Sequence, residues 1–132
     1  MANVTKEING VKYNIIPFTG RVVLDLNFKV QNVVTNAFNV ASKLNKKVKD
    51  EKERTTNFIV AFQQTIGEMD SDERFDLIAE SLKQTTASES DDKPDVEFNS
   101  VDAVADFFAT RFDDVYAVLT EVWAANHIRP FA

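Results

Sequence analysis

Hydrophobic and polar residues follow two different periods along the chain, and the first is a period of two near the start. Val4–Ile8 and Val11–Ile15 flank the dipeptide Asn9-Gly10. Asn-Gly tolerates the positive φ angles of a type I′ turn, so this segment predicts a β-hairpin. Because two strands alone are marginally stable in water, the hairpin must pack on other apolar surface. Residues 96–98 are a candidate for a third short strand at its edge.

After Pro17 the period changes to that of a helix. Apolar residues recur at helical spacing over about six turns, which predicts a long first helix. Its apolar set is Val22, Val23, Leu26, Val30, Val33, Val34, Ala37, Phe38, Ala41 and Leu44. Asp50 and Glu53 could form a capping box for a second helix, and Asp70 precedes a short third helix.

The last apolar segment predicts a long final helix that begins after Ser100 and ends near Asn126. Ser100 is a typical N-cap, and Asn126 tolerates the left-handed conformation of a helix C-terminus. The apolar set is broader than the stripe of about 100° that a helix on a two-layer fold needs. Asp113 and Asp114 sit between apolar positions and are expected to face solvent. The broad set fits a central helix that is buried on most sides.

An alternative is that some aromatic side chains of this last helix remain at the surface for a partner or for a second copy of the chain. Phe107, Tyr116 and Trp123 are the candidate partner-binding residues, because aromatic side chains often supply interface hot spots. The periodicity does not decide between the core and the partner-binding interpretations.

The order of elements predicts an α+β fold that is mainly helical. A hairpin, or a three-stranded sheet, is expected to pack on about four helices, with the long first and last helices forming the core. Residues 1–132 fit a single domain. Residues 85–95 are polar, small and acidic, and they predict a flexible surface loop.

Charge and composition narrow the class of partner. The net charge of -6 argues against nucleic acid and anionic membranes as partners, because both are polyanions. No apolar run is long enough to span a bilayer, and the first residues lack the features of a secretory signal. The chain contains no cysteine, which fits a reducing compartment. We therefore expect a protein of the cytoplasm.

The sequence contains no recognisable catalytic or metal-binding pattern. His127 is the only histidine, and it lies just past the predicted end of the last helix, so a histidine-rich zinc site is excluded. The acidic residues of segment 85–95 lack the spacing and the central glycine of an EF-hand loop. No glycine-rich phosphate loop or nucleophile elbow occurs. The sequence thus predicts a protein that binds other proteins, without cofactor or metal, and not an enzyme.

Three segments of the chain resemble the tail assembly chaperones of long-tailed bacteriophages. They are the Asn9-Gly10 hairpin, the run IPFTGR at 16–21, and the aromatic-rich ending 107–131 with its runs FFATRF and VWAANHIRPF. Members of that family are small, acidic and mainly helical, with a hairpin near the start and an aromatic-rich last helix.

The resemblance implies a role in tail morphogenesis in the host cytoplasm. Such chaperones bind and coat the aggregation-prone tape measure protein, help to recruit the tail tube protein, and are not retained in the mature virion. Self-association into an oligomer is a further expectation. An alternative is an acidic inhibitor of phage origin that binds proteins or mimics nucleic acid. Lysines interleaved with the carboxylates count against a mimic.

Overall fold

The computed structural model describes residues 3–128, which form five α-helices and one four-stranded antiparallel sheet. The strands and helices follow one another as β1 (Val4–Ile8), β2 (Val11–Ile15), α1 (Arg21–Leu44), α2 (Glu51–Glu68), α3 (Ser71–Leu82), β3 (Thr85–Ser88), β4 (Val96–Glu97), α4 (Val101–Phe108) and α5 (Val115–Ala125). A 3-10 turn, Phe112–Asp114, precedes α5. The predicted α+β, mainly helical class is confirmed.

The predicted hairpin is present. Asn9 and Gly10 adopt φ angles of 49° and 84°, which the positive-φ positions of a type I′ turn require. The turn sets a register in which Ile8 is opposite Val11. On β2 the alternate residues Val11, Tyr13 and Ile15 are buried, so this strand places one face of the hairpin on the core.

The sheet has one strand more than the sequence predicted, and this corrects the predicted loop 85–95. Thr85–Ser88 forms β3, which pairs with β2 so that Ala87 lies opposite Tyr13. Thr85 and Ala87 are buried. Small side chains at these positions let β3 lie against the core, and their low hydrophobicity hid the period of two. The loop prediction is wrong for 85–88 and stays a prediction for 89–95.

The third strand predicted at 96–98 is present as β4, Val96–Glu97, but it pairs with β3 and not with the hairpin. The strand order is β1-β2-β3-β4, with Ala87 opposite Val96. β3 therefore separates the hairpin from the strand that was expected to pair with it.

The long first helix is confirmed as α1, a helix of 24 residues. Its buried face consists of Leu26, Val30, Val33, Ala37 and Ala41. The following helix begins at the predicted cap, because the Asp50 side chain accepts a hydrogen bond from the Lys52 amide at 3.1 Å. None of the helices within residues 3–128 is long and apolar enough to cross a membrane.

The predicted long last helix is wrong, because the chain leaves the helix between α4 and α5. Ser100 caps α4 as predicted, accepting a hydrogen bond from the Ala103 amide at 3.1 Å. The broad apolar set is thus divided between two short helices that present different faces to the core. This break raises the helix count from about four to five.

The end of α5 also differs in detail from the prediction. His127, and not Asn126, adopts the left-handed conformation, with φ 60°. The Ile128 amide donates to the Trp123 carbonyl at 2.7 Å, and the His127 amide donates to Ala124 at 3.0 Å. These are the two bonds of a Schellman motif. Asn126 is instead buried, and its Oδ1 accepts a hydrogen bond from the Phe18 amide at 2.7 Å.

Candidate functional site

The break between α4 and α5 is held by contacts of Arg111 with a distant part of the chain. Arg111 has φ -134° and ψ 39°, outside the helical region. Its Nη2 donates to Glu89 Oε2 at 3.0 Å, and its guanidinium carbon lies 4.5 Å from the centre of the Phe107 ring. A half-buried ion pair and a cation–π contact therefore fix the side chain on the sheet side of the break.

Asp114 makes the second long-range contact at the break. Its carboxylate is buried and accepts a hydrogen bond from the Asn9 side-chain amide in the hairpin turn. The expectation that Asp113 and Asp114 both face solvent is correct for Asp113 and wrong for Asp114. The carboxylate can be buried because Asn9 supplies a donor, and the hairpin turn is thereby joined to the start of α5.

Tyr13 lies beneath this corner of the molecule. Its side chain is fully buried and meets Phe107 edge to face, with ring centres 6.3 Å apart. The hydroxyl has no hydrogen-bond partner among the described residues. Burial raises the pKa of Tyr13 to about 12, and the Asp114 carboxylate adds to the increase.

The break leaves an apolar groove on the surface, which we call the aromatic groove. Its volume is about 250 Å³. It is lined by side chains from four helices and the 3-10 turn, namely Ile66, Arg74, Phe75, Ile78, Val104, Ala105, Phe108, Ala109, Phe112, Val115 and Tyr116. Arg74 is the only charged residue among them. Its guanidinium donates hydrogen bonds to the carbonyls of Ile66, Gly67 and Met69 at the end of α2.

Phe112 is the most exposed aromatic side chain of this groove. It is 68% exposed, although it belongs to the broad apolar set of the sequence. Its ring meets Tyr116 edge to face at 6.5 Å. Tyr116 is half-buried, its hydroxyl donates to the Gln63 carbonyl at 3.4 Å, and burial raises its pKa. A large exposed phenyl ring beside an apolar groove has the character of a binding surface for an apolar side chain.

The three aromatic residues that the sequence predicted to bind a partner differ in their exposure to solvent. Phe107 and Trp123 are only 6% and 1% exposed. Trp123 donates through Nε1 to Ser81 Oγ at 3.1 Å and meets Phe62 edge to face at 5.7 Å. Both residues lie in the core, which is the other interpretation of the broad apolar set. Of the three predicted residues, Tyr116 alone lines the groove. Phe112, which also lines it, was not among the residues that the sequence predicted to bind a partner.

A second apolar surface lies on the side of α1 that faces away from the core. Leu24, Phe28 and Phe38 are exposed there, the two phenylalanines by 66% and 63%. Leu24 and Phe28 were missed because they do not fit the helical set that forms the buried face. Phe38 was assigned to that set, but it lies on the opposite side of the helix.

The described residues offer little for catalysis. No group of three or more histidine, cysteine or acidic residues within 3–128 is arranged to hold a metal ion. His127 is exposed at the end of α5. A cavity of about 430 Å³ between α1, α2 and α3 is lined by mixed polar and apolar residues. Lys29, at its edge, is paired with Glu80 of α3.

An acidic, mainly helical α+β fold that exposes apolar surface is the class of protein that these observations define. The chain belongs to the phage tail assembly chaperone family, since the family model described as phage tail assembly chaperone protein, TAC, matches residues 9–131. Family membership implies a non-enzymatic role during tail assembly in the host cell and interaction with tail proteins. No curated protein and no solved structure is significantly similar to the chain.

The different positions of Trp123 and Phe112 can be tested by stability. Trp123→Ala should lower the free energy of unfolding by about 3–5 kcal/mol, because it empties a packed core site. Phe112→Ala should change it by less than about 1 kcal/mol, since the ring is largely solvated. Urea denaturation followed by circular dichroism measures both. Equal losses for the two variants would contradict the assignment of Phe112 to the surface.

The pKa of Tyr13 predicts a loss of stability at high pH. The folded-state pKa of about 12 lies above the ordinary value of 10.0, so the stabilisation is fully present below pH 10 and is lost as the pH rises through 12. In a Tyr116→Phe variant Tyr13 is the only tyrosine. Tyrosinate absorbance should therefore titrate late in the native variant and near the ordinary value in denaturant. Identical titrations would show that Tyr13 is solvated.

Proposed function

We propose that this protein is a chaperone that binds and coats the tape measure protein and helps to recruit the tail tube protein during tail morphogenesis. It acts in the host cytoplasm and leaves before the virion is complete. Family membership supports the chaperone role, and the resemblance noted in the sequence supports these partners. The aromatic groove with its exposed Phe112 is the single observation in the structure that carries the proposal.

The shape and lining of the groove suit an apolar side chain from a client helix. Phe108 and Val115 form part of its buried lining, and Phe112 and Tyr116 stand beside it. An amphipathic helix laid across such a groove would bury one or two apolar anchors and cover the Phe112 ring. Displacing water from these apolar surfaces would supply the free energy of binding.

The acidic charge fits the same role. A net charge of -6 raises the solubility of the protein. When such a chaperone covers the apolar segments of a long client, the complex carries the negative charge of every bound copy and is more soluble than the free client. Asp113, which is exposed next to Phe112, places one such carboxylate at the edge of the proposed client site.

The acidic mimic of nucleic acid remains the second candidate, but the ion pairs weigh against it. Glu80 pairs with Lys29, and Glu89 pairs with both Lys93 and Arg111. A mimic requires a continuous stripe of unneutralised carboxylates, and the paired Glu80 and Glu89 do not supply unneutralised charge.

Co-expression with a tape measure protein from the same genome tests the proposed function. The wild-type chaperone should keep the client soluble and co-purify with it in several copies per client. Phe112→Ser should reduce co-purification at least about tenfold, as expected when an interface hot spot is truncated. Val60→Ser is a matched control, because Val60 is a 49% exposed apolar residue of α2 outside the groove.

Three outcomes of this experiment would contradict the proposal. The client would remain insoluble with wild-type chaperone, or Phe112→Ser and Val60→Ser would bind alike, or the complex would contain one copy of each protein. The first outcome would show that the tape measure protein is not the client. The second would show that the aromatic groove is not the binding site, and the third that the chaperone does not coat its client. Circular dichroism of both variants shows that they are folded.

A further inference from the structure

The exposed face of α1 carries a seam with the spacing of a coiled coil. Its six residues are separated by intervals of four and three in strict alternation, and all are exposed: Leu24, Phe28, Gln31, Thr35, Phe38 and Ser42. Intervals of four and three are those of the a and d positions of a heptad repeat, which line the contact between two supercoiled helices. We call this set the α1 seam. It lies opposite the buried face of the same helix.

Charge is absent from the exposed residues in the middle of α1, where four of the six residues of the α1 seam lie. Every exposed residue of α1 from Gln31 to Ser42 is uncharged, although 27% of the chain is charged. The charged residues of α1 are Arg21, Asp25, Lys29 and Lys43, at its two ends, and Lys29 is paired with Glu80 of α3. A surface for a basic or acidic partner would carry complementary charge. Depletion of charge is instead what two copies of an acidic protein require in order to approach each other.

We propose that the α1 seam is a self-association surface, on which the α1 helix of a second copy packs antiparallel. A two-fold axis near the middle of the seam places Phe28 against Phe38 of the second copy, twice per dimer. Gln31 then faces Thr35, and polar residues meet polar residues at the centre. Such an isologous contact closes on itself and gives a dimer rather than a filament.

The antiparallel direction follows from Arg21, three residues before the first residue of the α1 seam. Arg21 lies seven residues before Phe28 and therefore occupies an equivalent position of the repeat. Parallel helices would place the two Arg21 side chains against each other, which is repulsive. Antiparallel helices keep the two Arg21 side chains apart and also oppose the two helix dipoles.

The rigidity of α1 supports the proposal. Its other face is held in the core by Leu26, Val30 and Val33, so the seam is already formed in the free chain and no segment has to fold on association. The exposed apolar contribution is limited to three residues per copy. The dimer is therefore expected to be weak and to dissociate on dilution.

Sedimentation equilibrium over a range of concentrations tests the association. The wild-type protein should show a monomer–dimer equilibrium. Phe28→Ser should weaken dimerisation at least about tenfold, because each substitution removes two equivalent ring contacts. Val60→Ser and Phe112→Ser, at exposed apolar positions outside the seam, should dimerise as the wild type does.

Crosslinking of single-cysteine variants tests the direction, and the natural chain has no cysteine to interfere. A short bismaleimide should join Leu24→Cys to Ser42→Cys when the two variants are mixed. Each variant alone should give little product, since the equivalent residues of two antiparallel copies lie about 27 Å apart along the helix. Crosslinking of each variant to itself would overturn the antiparallel arrangement.

Two results would overturn the self-association itself. One is a wild-type protein that stays monomeric at every concentration. The other is a dimer that Phe28→Ser leaves unchanged. If the wild type is monomeric and the co-expressed tape measure protein no longer co-purifies with the Phe28→Ser variant, the α1 seam is a client site and not a contact between copies. The groove variant Phe112→Ser reports on the proposed function separately, so the two proposals can fail independently.

Discussion

The interruption between α4 and α5 is the constraint on which the aromatic groove depends. Arg111 reaches Glu89 near the end of β3, and Asp114 accepts a hydrogen bond from Asn9 in the hairpin turn. These contacts hold the chain out of a continuous helix, and α5 then turns Trp123 into the core. Phe112, at the bend, is left outside. One apolar segment thereby supplies both core residues and an exposed aromatic side chain.

Much of the fold could be predicted because its signals are local. The hairpin follows from Asn9-Gly10, and α1 follows from its helical spacing and length. The caps at Asp50 and Ser100 follow from side chains that bond the next turn. β3 could not be predicted, because Thr85 and Ala87 become buried only when β2 lies beside them. The break in the last helix likewise depends on partners far away in sequence.

The candidate site could be predicted only in part, for the same reason. The excess of apolar residues in the last segment includes both buried side chains and the exposed Phe112. Phe107 and Trp123 were selected by size and residue type, whereas the bend decides which aromatic side chain is exposed. On α1 the residues that fail to fit the buried set, Leu24 and Phe28, are the informative ones. Intervals of three and four residues can occur on two faces of one helix. On α1 one such series is the buried face and the other is the α1 seam.

The aromatic groove is the surface at which we propose that the protein binds its client. Hydrogen–deuterium exchange of the chaperone, free and in complex with the tape measure protein, tests it most directly. Binding at the groove should slow exchange in peptides that span the bend and the start of α5, around Phe112 and Tyr116, together with the part of α3 that contains Phe75. Slower exchange confined to the sheet, with no change at the bend, would contradict it.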